Sequence, residues 1–146
     1  MNVRLPAVLN SPPDRSRLAW LALRLLLAIL IAVHGWARLL ADAVDPFGVF
    51  LDTVGFPIGL AFAYAVTAIE IVGSVAFAAG RFVAPLALTF SSIYAMGIAL
   101  VHAKAGWFVV GLGRNGAEYS VLFIVCLLCV GLQHVQGRGE VQRPRE

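Results

Sequence analysis

LAWLALRLLLAILIAVHGWARLLA, Leu18 to Ala41, is a run of 24 residues in which only Arg24, His34 and Arg38 carry ionisable side chains. As a helix rising about 1.5 Å per residue it is roughly 36 Å long, enough to cross a hydrocarbon core of about 30 Å. Three more apolar runs follow: Ile58 to Ala79, Val83 to Val101, and Tyr119 to Leu132. The last reaches spanning length when Ala117, Glu118 and Gln133 are included. Of the 146 residues 60% are hydrophobic and 13% charged, with a mean hydropathy of +0.87. A soluble domain carries charge on about a quarter of its residues. Backbone groups in lipid must be bonded internally, so the expected fold is all-α, a four-helix transmembrane bundle.

One domain accounts for the apolar chain, residues 18–134. The polar tails, 1–17 and 135–146, are predicted to be disordered, the first carrying Pro6, Pro12, Pro13 and three arginines. A cleaved secretory signal is the poorer reading of Leu18 to Ala41, because its apolar region is about twice the usual 7 to 15 residues and contains Arg24. Arg4, Arg15, Arg17, Arg81, Arg138, Arg143 and Arg145 fall on one side of the membrane, with only Lys104 and Arg114 on the other. By the positive-inside rule both termini are cytoplasmic, and the first and third loops face outward. The +3 net charge reflects that asymmetry. No basic stripe with interleaved aromatics suggests a nucleic-acid partner, and the lipid bilayer is the surface this chain meets.

Both outward loops have content. Asp45-Pro46 reads as an N-cap with Pro at the first helical position, and Phe47, Phe50, Leu51 and Val54 then recur at helical spacing before Gly55-Phe56-Pro57 ends the segment. This predicts a short amphipathic helix, lying along the outer interface with Asp52 on its polar side, or packed as a plug over the bundle. The third loop combines Trp107 and Phe108, suited to the headgroup zone, with Gly106, Gly111, Gly113 and Gly116, which make either a plain connection or a lid.

Ionisable residues inside spans mark working parts, because a charge in lipid is costly unless partnered. Arg24 counts to roughly 9 Å, and Glu70 to roughly 13 Å, from the cytoplasmic ends of their spans. They are therefore predicted to form an intramembrane ion pair, with Thr67, Gly73 and Ser74 on the face of Glu70. At the outer ends His34, Arg38, His102 and Glu118 fall at similar depth and form the candidate ligand-binding group. Such a set can hold an anion through Arg38 and Lys104, pass protons, or hydrogen-bond the carbonyls of a quinone head. Each histidine has a bland alternative as an interfacial residue, and the Arg24–Glu70 pair as a fixer of helix register. No metal site is expected, for the histidines lack ligand spacing within a helix. Cys126 and Cys129 form C-x-x-C inside the fourth span, where apolar burial leaves thiols inert, so they read as small packing residues. Gly111-Leu112-Gly113 lacks the strand and third glycine of a dinucleotide site. No intrinsic cofactor is expected.

The motifs resemble those of the DoxX family of bacterial membrane proteins: His34-Gly35-Trp36 with Arg38, Gly55-Phe56-Pro57, Glu70 followed by Gly73, then His102, Gly106-Trp107-Phe108 and Gly116-Ala117-Glu118-Tyr119. The resemblance covers about Arg24 to Leu132. Many members carry Lys at the position of Arg38, which keeps the charge but changes hydrogen-bond geometry. It implies a multi-pass protein of the bacterial inner membrane. Some relatives resemble membrane subunits of thiosulfate:quinone oxidoreductases, so the implied function is a small subunit of a quinone-linked oxidoreductase, with quinone as the borrowed cofactor. Its partner would be a redox subunit or further copies of itself. A binding or transport module for a small anion or weak acid, and a membrane scaffold for redox or detoxification partners, are the alternatives.

Overall fold

The computed structural model describes residues 11–135, which form five helices and no strand. Helix α1, Pro12–Leu40, starts six residues before the apolar run, because Ser11 accepts from the amide of Asp14 and Pro12 and Pro13 occupy its first turn. Residues 12–17 are thus helical rather than part of a disordered tail; residues 1–10 and 136–146 of the expected tails lie outside the described residues. Helix α2 is Val44–Thr53, α3 is Gly59–Ala78, α4 is Val83–Ala105 and α5 is Glu118–Gln133. Three helices, α1, α3 and α4, are long and apolar enough to cross a membrane. The fourth bundle helix, α5, is shorter at 16 residues, or roughly 24 Å.

Two apolar clusters sit at opposite ends of the bundle. The larger joins Leu27, Ala28 and Ile31 of α1 to Phe77, Phe90, Leu127 and Val130, toward the end that carries both described termini. The smaller joins Val44 and Leu51 of α2 to Ala63 of α3, with Phe47, Phe50, Phe56 and Leu100 around them, at the loop end.

Helix α2 is accordingly a roof rather than a float on the interface. Its apolar face lies on α3, and the two backbones approach so closely that a Cβ at Gly48 would stand 2.7 Å from the Cα of Leu60. Asp52 is exposed on the polar side of α2, as expected, and its Oδ1 also accepts from the amide of Gly59 at 2.7 Å, closing the start of α3. Asp45 is not an N-cap either. It lies in the first turn of α2, where Ala43 is the cap residue, and its Oδ1 accepts from the Tyr64 hydroxyl at 3.1 Å.

Two helices change winding. Ile69–Gly73 within α3 and Ile98–His102 within α4 are π-helical turns, which insert an extra residue and re-aim the side chains beyond. The third loop folds back on itself, Gly116, Ala117 and Glu118 donating backbone bonds to the carbonyls of Phe108, Gly106 and Trp107. It is a tied connection.

Candidate functional site

Between the two apolar clusters lies a polar layer centred on Glu70, which is 2% exposed. Its partner is Arg38, not Arg24: Arg38 Nη1 donates to Glu70 Oε2 at 2.6 Å. The same nitrogen donates to Thr67 Oγ1 at 3.1 Å, and the guanidinium stacks over the Phe47 ring with its carbon 4.7 Å from the centroid. Thr67 in turn donates to the Ala63 carbonyl at 2.8 Å.

The helix crossing explains the change of partner. A Cβ on Gly35 would lie 3.0 Å from Glu70 Cβ and 2.8 Å from Ile71 Cγ1, so the bare backbone at Gly35 sets α1 against α3 at the depth of Glu70. Arg38 is one turn beyond. Side chains lean toward the N-terminus of their own helix, and the two helices are antiparallel, so Arg38 and Glu70 lean toward each other. Arg24 is eleven residues before Gly35, roughly 16 Å away, and sits beside Gly80 at the other end of α3. There Arg24 Nη1 donates to His134 Nε2 at 2.9 Å, while His134 Nδ1 donates to the Val130 carbonyl at 2.9 Å. That arrangement places the His134 proton on Nδ1 and a lone pair on Nε2. Arg24 Nε is buried with no partner among the described residues. Sequence reasoning gave His134 no role; its partner is visible only once α1 and α5 are packed.

A cavity of about 360 Å³ occupies the polar layer and the space up to α2. His34, Arg38 and Glu70 reach it from α1 and α3, Ser92, Tyr94 and His102 from α4, and Phe47, Phe50, Phe56 and Phe62 make its aromatic walls. Three of the four residues expected to converge therefore border one space. The His34 ring meets the Tyr94 ring edge-on at 6.0 Å between centroids. His102 Nδ1 donates to the Asn115 carbonyl at 2.8 Å, which in the neutral ring leaves Nε2 as an acceptor.

Glu118 is the exception. It is the first residue of α5, its side chain leans back toward the loop, and its Oε1 accepts from the Val109 amide at 3.0 Å. It holds the third loop and does not border the cavity. Lys104 also stands outside it, exposed.

Tyr94 was missed by sequence reasoning. It borders the cavity and packs against Phe123 of α5 at 4.7 Å between centroids, and its hydroxyl is buried without a hydrogen-bond partner among the described residues. The available signal was a phenol beside Ser91 and Ser92 in an otherwise apolar run.

Cys126 is half-buried against the larger apolar cluster, and Cys129 is exposed on the outer surface of α5. Both are free thiols.

A helical bundle whose long apolar helices enclose an ion pair and an aromatic-walled cavity defines a multi-pass membrane protein. The chain belongs to the DoxX family, whose model, DoxX, matches residues 19–103. That stretch contains every residue bordering the cavity and ends before Glu118. Neither the curated proteins nor the solved structures give a match.

Proposed function

We propose that the protein is the membrane subunit of a quinone-linked oxidoreductase and that its cavity takes the quinone head while a partner subunit delivers the electrons. One observation carries this reading: the buried, unpartnered Tyr94 hydroxyl at the polar end of an aromatic-walled cavity. A buried donor without an acceptor costs about 1–3 kcal/mol, which a ligand oxygen hydrogen-bonded to it would recover. Donors and acceptors set among Phe47, Phe62 and Ile93 suit a neutral ring that carries carbonyl groups. Bound there, a quinone supplies two-electron redox chemistry. Tyr94 and His34 hold and orient its oxygens, His102 Nε2 offers a further polar contact, and the aromatic walls exclude water.

The anion-binding alternative is weaker because Glu70 already neutralises Arg38, so an added anion would leave net charge in a medium of low dielectric. The arginine asymmetry supports an orientation with both termini in the cytoplasm of a bacterial cell, in which the cavity would lie in the outer half of the inner membrane.

The test is purification in mild detergent, followed by mass spectrometry of extracted lipids and co-purifying subunits, then titration with a short-chain quinone followed by tryptophan quenching. Co-purified quinone and a redox subunit are expected, with binding weakened about tenfold in Tyr94→Phe, the loss of one hydrogen bond. Absence of both bound quinone and quenching overturns the reading.

A further inference from the structure

The cavity is closed toward the loop end and open toward lipid. Its roof, α2, is tied down by Asp52 on the Gly59 amide, by Tyr64 on Asp45, by Arg38 against Phe47, and by the backbone contact at Gly48. Among the described residues no comparable set of bonds closes the side. Helices α3 and α4 pack together near the turn that joins them, where Phe77 meets Phe90 edge-on at 5.9 Å and Gly73 lets the Phe90 ring approach. Beyond that point the cavity separates them, with Phe62, Val66 and Glu70 on one wall and Ile93, Met96, Gly97 and Leu100 among the residues on the other. Phe62 and Met96 are 43% and 45% exposed, and both lie within helices long and apolar enough to cross a membrane, where an exposed side chain is expected to meet the bilayer.

Depth sharpens the point. Glu70 is eleven residues from Gly59 and eight from Ala78, roughly 16 and 12 Å along the axis, so the polar end of the cavity is close to the middle of the bilayer. A volume of about 360 Å³ is at the small end of the roughly 300–1,000 Å³ range of ligand sites. It holds a ring-sized head and leaves no room for a long tail.

We infer that the wedge between α3 and α4 is a lateral portal, through which a lipid-dissolved molecule with a hydrogen-bonding ring and a long alkyl or isoprenoid tail enters from the bilayer, its tail staying between Phe62 and Met96. This rests on the quinone reading of the cavity and adds the route and the tail. Entry from the aqueous side would require α2 to detach. Entry through the wedge requires only rotation of the Met96 side chain, which has three flexible torsions, and of Phe62.

The full chain in lipid nanodiscs, irradiated with a benzoquinone-headed probe that bears a diazirine about ten carbons along its tail, provides the test. Peptide mapping is expected to place the adducts mainly on Phe62, Met96 and Val101, and excess untailed benzoquinone head should suppress them at least tenfold. Met96→Trp, which narrows the wedge, should lower labelling several-fold. Head-suppressible adducts on α2 or on residues 106–117 would overturn the portal and leave the quinone reading intact. Adducts spread over all lipid-facing helices and insensitive to the untailed head would overturn both.

Discussion

Replacing Glu70 by Leu should destabilise the protein severely, and replacing Arg38 by Leu in the same chain should restore most of the loss. The pair is 2.6 Å apart, with the Glu70 side chain 3% and the Arg38 side chain 19% exposed. Breaking a buried pair from one side costs about 3–5 kcal/mol, since the remaining charge has no counter-charge. Arg38 would keep Thr67 and the Phe47 ring and can turn partly toward the loop end, so a value near the lower bound, about 3 kcal/mol, is expected for Glu70→Leu. That is roughly a hundredfold in the folding equilibrium. The double variant, two apolar side chains in a mostly apolar layer, should lie within about 1 kcal/mol of the parent. Equilibrium unfolding in mixed micelles with increasing dodecyl sulfate, followed by tryptophan fluorescence, measures both. The control is Arg24→Leu combined with Glu70→Leu, whose losses should add to within about 0.5 kcal/mol because the groups do not meet. If Arg38 and Glu70 prove additive, or Arg24 and Glu70 prove coupled, the pairing and the helix crossing at Gly35 are wrong.

Three further outcomes follow from the same geometry. The double variant Cys126→Ala, Cys129→Ala should lose no more than about 1 kcal/mol by the same unfolding measurement and bind short-chain quinone unchanged, since one thiol is half-buried and the other faces outward; lost binding at normal abundance would restore a thiol role. His134→Ala removes the acceptor of Arg24 Nη1 and should cost about 1–3 kcal/mol, with His134→Gln recovering part, whereas a neutral His134→Ala would mean that Arg24 finds its partner elsewhere. Gly48→Ala should cost about 1–3 kcal/mol and raise amide hydrogen exchange across α2, because the new methyl meets the Leu60 backbone; unchanged exchange would show that α2 is not clamped there.

The four helices of the bundle and the amphipathic α2 were legible because apolar length and the spacing of Phe47, Phe50, Leu51 and Val54 are properties of single segments. What covers an apolar face is not such a property, so the pattern that predicts α2 could not choose between interface and roof. The charges show the same limit. Counting residues from assumed span edges set Arg24 level with Glu70, but α1 begins at Pro12 rather than Leu18, and the count carries no term for the direction in which a side chain leans. That lean brings Arg38 inward to Glu70 and sends Glu118 back to the Val109 amide, although Glu118 was placed at the right end of the bundle. His34, Arg38 and His102 were legible as a group because α1 and α4 both run toward the loop end and carry them near that end.

The two π-helical turns connect the ion pair to the cavity. Straight helices joined by a turn as short as the one from Ala79 to Phe82 would stay packed along their length, and an aromatic-walled gap between them would be filled by lipid or by collapse. In α3 the change of winding runs from Ile69 to Gly73, so it includes the contact of Gly73 with Phe90 and holds Glu70; in α4 it runs from Ile98 to His102. The α3 turn therefore falls where α3 and α4 part and the α4 turn at the loop end of the gap, and each carries one ionisable residue that borders the space. A π turn weakens its helix locally, so it persists where surrounding contacts compensate. On α3 those contacts are the Arg38 bond to Glu70 and the close approach of Gly35, and on α4 the His102 bond to the Asn115 carbonyl. On the proposed reading the ion pair serves the site in two ways: it would present a polar end with no net charge to a neutral ligand, and it would hold α3 in the winding that keeps the wedge open.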